Sequence, residues 1–238
     1  MNRIATWLAG VLAASGVGCT VLAYVNEPNE SREQGASGYF VVTRPDLRRC
    51  AAPLCGGYFV KLVNQPLTRC ADGELREECH AYDVDLSATG LDPRRAAAFE
   101  RLFGERHGVA RGTLRLAWDE RGIAVDTLEV GEAWRGIARS EPRGMFYSVS
   151  DSGIVCVTNP CPSILESPLN TSEQRRIHGV DLAAPGVSRE EVRMGLDALF
   201  TSGILVAGTH RTITGPAGAG TELVASEWYM REPVSGAP

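Results

Sequence analysis

Seven cysteines carry the most conspicuous chemistry of this 238-residue chain. They are Cys19, Cys50, Cys55, Cys70, Cys79, Cys156 and Cys161. Without the first, an even set of six remains, which in an exported chain more often forms disulfides than a metal site. A zinc site from the first four of these six would have 4, 14 and 8 intervening residues. That spacing is unlike the usual C-x2-C arrangement, so we expect no metal.

An internal comparison sorts the cysteines. Cys50 and Cys55 match Cys156 and Cys161 at an offset of 106 residues. The same offset relates Gly38-Tyr39-Phe40 to Gly144-Met145-Phe146, and Asn64 to Asn170. Farther on, Val84-Asp85-Leu86 matches Val180-Asp181-Leu182 at an offset of 96. The chain therefore resembles two copies of one unit, with an insertion in the first copy.

The insertion contains Cys70 and Cys79, so these two cysteines arrive together and should pair with each other. The second copy keeps only its C-x4-C pair, and self-pairing within each copy is the simplest arrangement. The sequence predicts the disulfides Cys50–Cys55, Cys70–Cys79 and Cys156–Cys161.

Among the polar residues that the two copies share, the sequence Gly-Thr-x-Arg is matched most closely in position. It places Arg115 in the first copy and Arg211 in the second. Both arginines are candidates for anion binding. The alternative, which we favour, is a salt bridge from each to the shared Asp85 and Asp181. Asn64 and Asn170 are expected to close turns.

Other reactive side chains form no recognisable catalytic set. None of the four histidines matches another between the copies, and His107, after a predicted helix, is expected to be solvated. No G-x-S-x-G sequence supports a hydrolase. An acidic cluster surrounds the insertion: Asp72, Glu74, Glu77, Glu78, Asp83 and Asp85. It lacks the D-x-D-x-D-G calcium loop, so we expect a solvated acidic face and no cofactor.

The first residues predict export. A positive start at Arg3 precedes an uncharged apolar run to Val25 that is rich in small residues, as in secretory signals. Residues 1–23 are expected to be a signal and residues 24–37 a flexible tether. Three fates stay open: lipidation at Cys19, cleavage after Ala23, or an uncleaved membrane anchor.

Alternating and β-branched runs predict strands in each copy, and one helix should follow Asp92 in the first and Ser188 in the second. The run Ala81–Leu86 alternates as a single strand. The expected fold is α+β: two tandem β-β-β-α-β-β units (residues 38–140 and 141–238), mainly antiparallel, packed as a pseudo-twofold pair burying Trp134 or Trp228. A net charge of -5 and the lack of a basic run argue against nucleic acid.

The run from Tyr39 to Val60, with Cys50 and Cys55, resembles an uncharacterised domain family of predicted bacterial lipoproteins. Cys70-Ala71-Asp72-Gly73 and Cys79 extend the resemblance. It covers the first copy well and the second weakly. The resemblance implies export and disulfides, and it implies no catalytic residue.

These features favour a non-enzymatic binding module of the cell envelope or surface. Its partner is expected to be an unknown protein or polymer of the envelope, with membrane attachment through an N-terminal lipid or anchor. The expected location is the outer membrane or periplasm, or alternatively secretion. Two other functions stay open: an inhibitor of an exported enzyme, acting through the loops Ala51 to Leu54 and Val157 to Pro160, and an enzyme of unrecognised type.

Overall fold

The computed structural model describes residues 34–51, 55–118 and 121–233. The predicted signal, the predicted lipidation site Cys19 and most of the predicted tether lie outside the described residues. Below, the first half means residues 34–140 and the second half residues 141–233.

Both predicted helices are present, and each begins where the capping residues indicate. Helix α1 (Pro93–Gly104) follows Asp92, whose carboxylate accepts from the backbone N–H groups of Arg94 and Arg95. Helix α2 (Arg189–Thr201) follows Ser188, which forms a reciprocal capping box with Glu191. These side chains satisfy N–H groups that the first turn of a helix leaves without partners.

The strands of the two halves follow one another in the same order, apart from a small hairpin in the first half. The first half contains β1 (Gln34–Pro45), β2 (Tyr58–Leu62), β3 (Thr68–Arg69), β4 (Leu75–Arg76), β5 (Cys79–Ala81), β6 (Asp83–Asp85), β7 (Gly108–Trp118) and β8 (Ala124–Gly136). The second half contains β9 (Met145–Asp151), β10 (Ile164–Pro168), β11 (Arg175–Ile177), β12 (Gly179–Asp181), β13 (Ile204–Gly215) and β14 (Gly218–Arg231). Strands β3 and β4 form the hairpin, which lies in the predicted insertion.

Among the described residues, twelve strands form one sheet in the order β11-β10-β9-β13-β14-β8-β7-β1-β2-β5. Strands β6 and β12 complete it by pairing in parallel with β8 and β14. All other pairs are antiparallel, so the chain is a sheet-dominated α+β protein as expected. The β8–β14 ladder, from Trp134 to Gly136, joins the halves.

The prediction of a single strand over Ala81–Leu86 is wrong, and each half therefore has four main-sheet strands before its helix, not counting the β3–β4 hairpin of the first half. Strand β5 pairs with β2, whereas β6 pairs with β8 on the far side of the half-sheet. Only Tyr82 separates them, and its N–H donates to Asp126 O at 2.8 Å. The first half-sheet must therefore curl until its two edges meet at Tyr82. Strands β11 and β12 do the same in the second half.

The pairing of the strands changes one of the residue correspondences that the sequence comparison gave between the two halves. Gly38 lies opposite Gly112, whereas Met145, one residue after Gly144, lies opposite Gly208. By strand position Tyr39 therefore corresponds to Phe146, an offset of 107 residues and not the 106 that the sequence suggested.

Three buried apolar clusters follow from the alternation of side chains along these strands. The first lies inside the curled first half-sheet beneath α1, through Phe99 and Phe103. The second lies inside the second half-sheet beneath α2. The third joins the outer faces of the two half-sheets and contains Val63, Val109, Trp134, Leu169, Leu205, Ala207 and Tyr229. Trp134 thus lies between the halves as expected, but Trp228 belongs to the interior of the second half.

Within the described part of the chain, no helix has the length and apolar character needed to cross a membrane.

Candidate functional site

Two asparagines fasten the halves to each other. The Asn64 side chain donates to Phe146 O (2.7 Å) and Leu169 O (3.1 Å), and it accepts from Phe146 N at 2.9 Å. Asn170 donates to Tyr39 O and Val63 O, both at 2.9 Å, and accepts from Tyr39 N at 2.8 Å. Each asparagine therefore binds backbone of the opposite half.

Backbone conformation places these side chains. Asn64 and Asn170 have φ values of 58° and 60°, a left-handed conformation that asparagine tolerates better than most residues. Both thus occupy turns, as the sequence predicts. Gly38 makes room for one of them, because a Cβ on Gly38 would lie 2.3 Å from Asn170 Oδ1.

A buried carboxylate fixes residues 137–144, which connect the two halves and which we call the connecting segment. Glu227 is fully buried on β14. Its Oε1 accepts from Ala138 N at 2.9 Å and from Trp228 N at 2.8 Å, and its Oε2 accepts from Ser140 N at 2.9 Å. Several N–H donors on one carboxylate compensate for the loss of its hydration. The connecting segment is therefore held in one position.

A cleft of about 460 Å³ opens where this segment passes the outer face of the first half. We call it the junction cleft. Its walls come from β1, β2, the turn after α1, the connecting segment and the start of β9, and they contain Val41, Val42, Thr43, Lys61, Glu105, Arg106, His107, Ser140, Glu141, Pro142 and Phe146. The volume lies within the usual range for small-molecule sites, which lies at about 300–1,000 Å³.

Lys61 is the only lysine among the 24 lysine and arginine residues of the chain. It lies on β2 opposite Val41 of β1, and its side chain is exposed. Among the described residues, no carboxylate lies within ion-pair distance of its ammonium group. Burial acts to raise the pKa of Glu78, but hydrogen bonds from Thr43 and Arg44 outweigh it and lower the pKa, with a smaller contribution from the charge of Lys61. The cleft thus contains a cation that no direct ion pair neutralises.

His107 differs from its prediction, because it is only half-exposed and its Nδ1 is buried. Within the described part of the chain, this nitrogen has no hydrogen-bond partner. An N–H there would be an unsatisfied buried donor, so the neutral ring favours its proton on Nε2, the other nitrogen. The residue before it, Arg106, reaches across the cleft to Glu141 at 3.0 Å.

The cysteines and the two candidate anion-binding arginines that the sequence analysis selected lie outside the junction cleft. The three disulfides join Cys50 to Cys55, Cys70 to Cys79 and Cys156 to Cys161, the pairing that the sequence comparison predicts.

The two candidate anion-binding arginines have carboxylate partners. Arg211 contacts Asp181 at 3.1 Å, the expected partner, and also Glu222 at 2.5 Å. Arg115 contacts Glu129 at 2.9 Å, so its expected pairing with Asp85 is wrong. On β7 and β8 the first half has Thr127 opposite Arg115, where the second half has Glu222 opposite Arg211. Arg115 therefore reaches diagonally to the next carboxylate along β8.

Each half also contains a buried carboxylate flanked by an arginine and a histidine. Asp46 contacts Arg48 at 2.8 Å and His80 at 3.2 Å. Hydrogen bonds from Arg48 hold the pKa of Asp46 well below its usual range. In the second half, Glu166 pairs with Arg175 and lies 2.9 Å from His210 Nε2.

Neither of these two groups forms a nucleophile relay. In the described ranges, no serine or threonine hydroxyl or cysteine thiol hydrogen-bonds to His80 or His210. The same residues include no group of three or more metal-binding side chains arranged around an ion. Three of the acidic residues near the insertion have their own partners: Asp72 pairs with Arg76 at 2.7 Å, Glu78 pairs with Arg44, and Asp85 accepts from Ser87 N.

The comparisons with known proteins place the chain in a family. A family model described as a domain of unknown function, DUF6748, matches residues 39–235. The chain belongs to this family, and the matched range includes both halves. No curated protein and no solved structure matches the chain.

Proposed function

We propose that this protein is an exported, non-enzymatic binding module of the cell envelope or surface, and that its ligand or a segment of its partner enters the junction cleft. The observation that carries the proposal is the cleft itself, because residues of both halves and of the connecting segment line it. A site made by packing two units is a common location for ligand binding.

Several features support export. Three disulfides suit an oxidising compartment. The apolar N-terminal run and the resemblance to lipoprotein sequences suggest delivery to the envelope, with a lipid at Cys19 as the favoured anchor. A Cys19→Ala variant should lose lipid labelling, whereas unchanged processing would contradict lipidation.

We also propose that the two halves arose as copies related by a pseudo-twofold axis. The shared strand order, the two caps and the reciprocal asparagines support this origin. Duplication supplies two similar surfaces, and their outer faces can specialise once they are packed together.

Site-directed photo-crosslinking tests the binding proposal. A photo-reactive residue replaces the exposed Glu105 in the cleft wall, and in a control it replaces Arg193 on α2, where the side chain is 67% exposed. Envelope peptides, glycans and lipid headgroups are then offered to both proteins. We expect adducts at position 105 and none at 193. Equal labelling at both positions would contradict the proposed site, and cleft-dependent turnover of an envelope component would contradict a non-enzymatic role.

A second candidate function, inhibition of an exported enzyme, is favoured by the loop closed by Cys156 and Cys161. Val155 and Val157 are 95% and 104% exposed there, as a loop that inserts into another protein would require. The corresponding loop after Ala51 lies largely outside the described residues. A panel of exported proteases tests this function: inhibition that Val157→Asp abolishes would support it, and no inhibition at micromolar protein would remove it.

A further inference from the structure

Lys61 has a setting that no arginine among the described residues shares. It is the single lysine of the chain, and it lines the junction cleft without a direct ion pair among the described residues. A lysine ammonium is a compact charge with three rotatable donors, whereas arginine presents a planar fork. A lone lysine therefore suits an anion that approaches end-on inside a confined space.

His107 supplies a second donor in the same cleft. Because its buried Nδ1 has no partner in the described residues, the N–H of the neutral ring falls on Nε2. Lys61 and His107 both line this cleft, so an anion bound between the two side chains would accept N–H groups from each. Arg106 contributes less, because Glu141 already occupies it at 3.0 Å.

Part of the remaining wall is apolar, and the other part is lined by Thr43, Glu105, Ser140 and Glu141. Val41, Pro142 and Phe146 line the cleft beside these donors. Val41 and Phe146 also border the apolar cluster between the halves, so their positions are fixed by packing. A ligand that fits both kinds of wall has an anionic end and a compact apolar end.

The second half lacks this arrangement. Ser167 on β10 lies opposite Ser148 of β9, where the first half has Lys61 opposite Val41. The connecting segment that closes the cleft also occurs only once in the chain. If the halves are copies, the lysine was gained or kept only in the copy whose β2 strand lines the cleft.

We infer that the junction cleft binds a small organic carboxylate with an apolar end, such as an acylated amino acid or the C-terminal residue of a peptide. The carboxylate lies against Lys61 and His107, and the apolar end lies toward Val41 and Phe146. This inference rests on the proposed function, and it adds the ligand class and the residue that recognises the charge.

The single lysine makes a direct test possible. Reductive methylation of the full-length chain with ¹³C-formaldehyde labels only Lys61 and the N-terminal amine. N-acetylleucine and N-acetylleucinamide are matched probes that differ in charge and not in shape. We expect N-acetylleucine to shift the Lys61 methyl resonance in a saturable way, and the amide to bind at least about tenfold more weakly.

Variants test whether the ammonium group of Lys61 is the charge that binds the carboxylate. Lys61→Met removes the ammonium while keeping a long side chain, and backbone amide resonances then report the affinity. We expect about a tenfold loss for N-acetylleucine and no change for the amide, since only the acid uses the charge. Lys61→Arg should recover part of the affinity, and Arg193→Met on α2 should leave it unchanged.

The outcomes separate this inference from the proposed function. Equal affinities for acid and amide would overturn the carboxylate assignment, while leaving the cleft as a binding site. No shift at Lys61 with either probe at tens of millimolar would also overturn it, and crosslinking at position 105 would then judge the proposed function separately. An acid-specific shift that Lys61→Met leaves intact would assign the charge recognition to another residue and contradict the role of Lys61.

Discussion

Asn64 and Asn170 bind each other's halves reciprocally: each side chain both donates to and accepts from the backbone of one residue in the opposite half. Asn64 does so with Phe146, and Asn170 with Tyr39. These contacts lie beside the apolar cluster between the half-sheets, where water cannot easily replace them. We therefore expect the two halves to behave as one cooperative unit.

Removing either asparagine side chain should destabilise the protein. Asn64→Gly and Asn170→Gly keep the left-handed conformation available and remove only the hydrogen bonds, so the backbone groups of Phe146 or Tyr39 lose their partners. Each should lower the free energy of unfolding by about 1–3 kcal/mol in chemical denaturation. Asn64→Ala should cost more, because alanine also resists a φ of 58°. A glycine variant as stable as wild type would show that the contacts contribute nothing.

Gly38→Ala tests the same contact from the other side. The added Cβ would approach Asn170 Oδ1 to 2.3 Å and would have to displace that side chain. We expect Gly38→Ala to lower the free energy of unfolding. In the Asn170→Gly background the same change should cost less, because the clash with Asn170 is gone, although the unfavourable φ of 154° at position 38 remains. Equal costs in both backgrounds, measured by denaturation, would contradict the steric explanation.

Replacing the charged carboxylate of Glu227 by a neutral amide should destabilise the protein. Glu227→Gln keeps the shape but turns an N–H group toward donors, such as Ser140 N at 2.9 Å. We expect a loss of roughly 2–3 kcal/mol in denaturation, the range for hydrogen bonds to charged groups. Glu129→Gln, a half-exposed control on β8, should change stability by less than about 1 kcal/mol. Similar losses for both variants would refute a special role for Glu227.

Stability in acid should depend on Asp46. Its pKa is lowered in the folded protein, first by hydrogen bonds from Arg48, so its contribution is complete above the ordinary aspartate pKa of about 3.9. The contribution is lost as the pH falls below that value toward the folded pKa. Asp46→Asn should therefore reduce the pH dependence of stability below about pH 4. An unchanged acid profile in denaturation experiments would contradict the pairing.

The disulfides should differ in importance. Cys70 and Cys79 are buried at 2% and 1% exposure within the apolar cluster of the first half, whereas Cys50 and Cys156 are exposed. Replacing the 70–79 pair by alanine should remove chain-entropy stabilisation of about 2–3 kcal/mol together with core packing. The same change at 156–161 should cost less. The reverse order in thermal unfolding would contradict this ranking.

Local features of the fold could be predicted from the sequence. Asp92 and Ser188 mark the helix starts because capping depends on neighbouring residues only. The disulfides could be paired because Cys70 and Cys79 lie in the insertion. The break at Tyr82 could not be predicted. Residues 81–86 alternate between apolar and acidic side chains as one strand would, but β5 pairs with β2 whereas β6 pairs with β8.

The candidate site was hidden for a related reason. The contacts of Asn64 and Asn170 are to backbone groups of the opposite half, and a backbone acceptor leaves no mark in a sequence. His107 was expected to be solvated because it follows a predicted helix, whereas in the fold it lines the cleft and its Nδ1 is buried. One signal was available: Lys61 is the only lysine, and its isolation among arginines could have marked it as a residue with a distinct role.

The central claim is that the halves are locked together at the junction and do not open independently, so the cleft between them is preformed. Hydrogen exchange at the amides of Tyr39 and Phe146, which donate to Asn170 and Asn64, measures this directly. The account predicts that both amides exchange only through global unfolding, with the same protection as core amides such as Val206. Exchange at Tyr39 and Phe146 that is orders of magnitude faster than in the cores would show that the halves separate in the native state, and would contradict the claim.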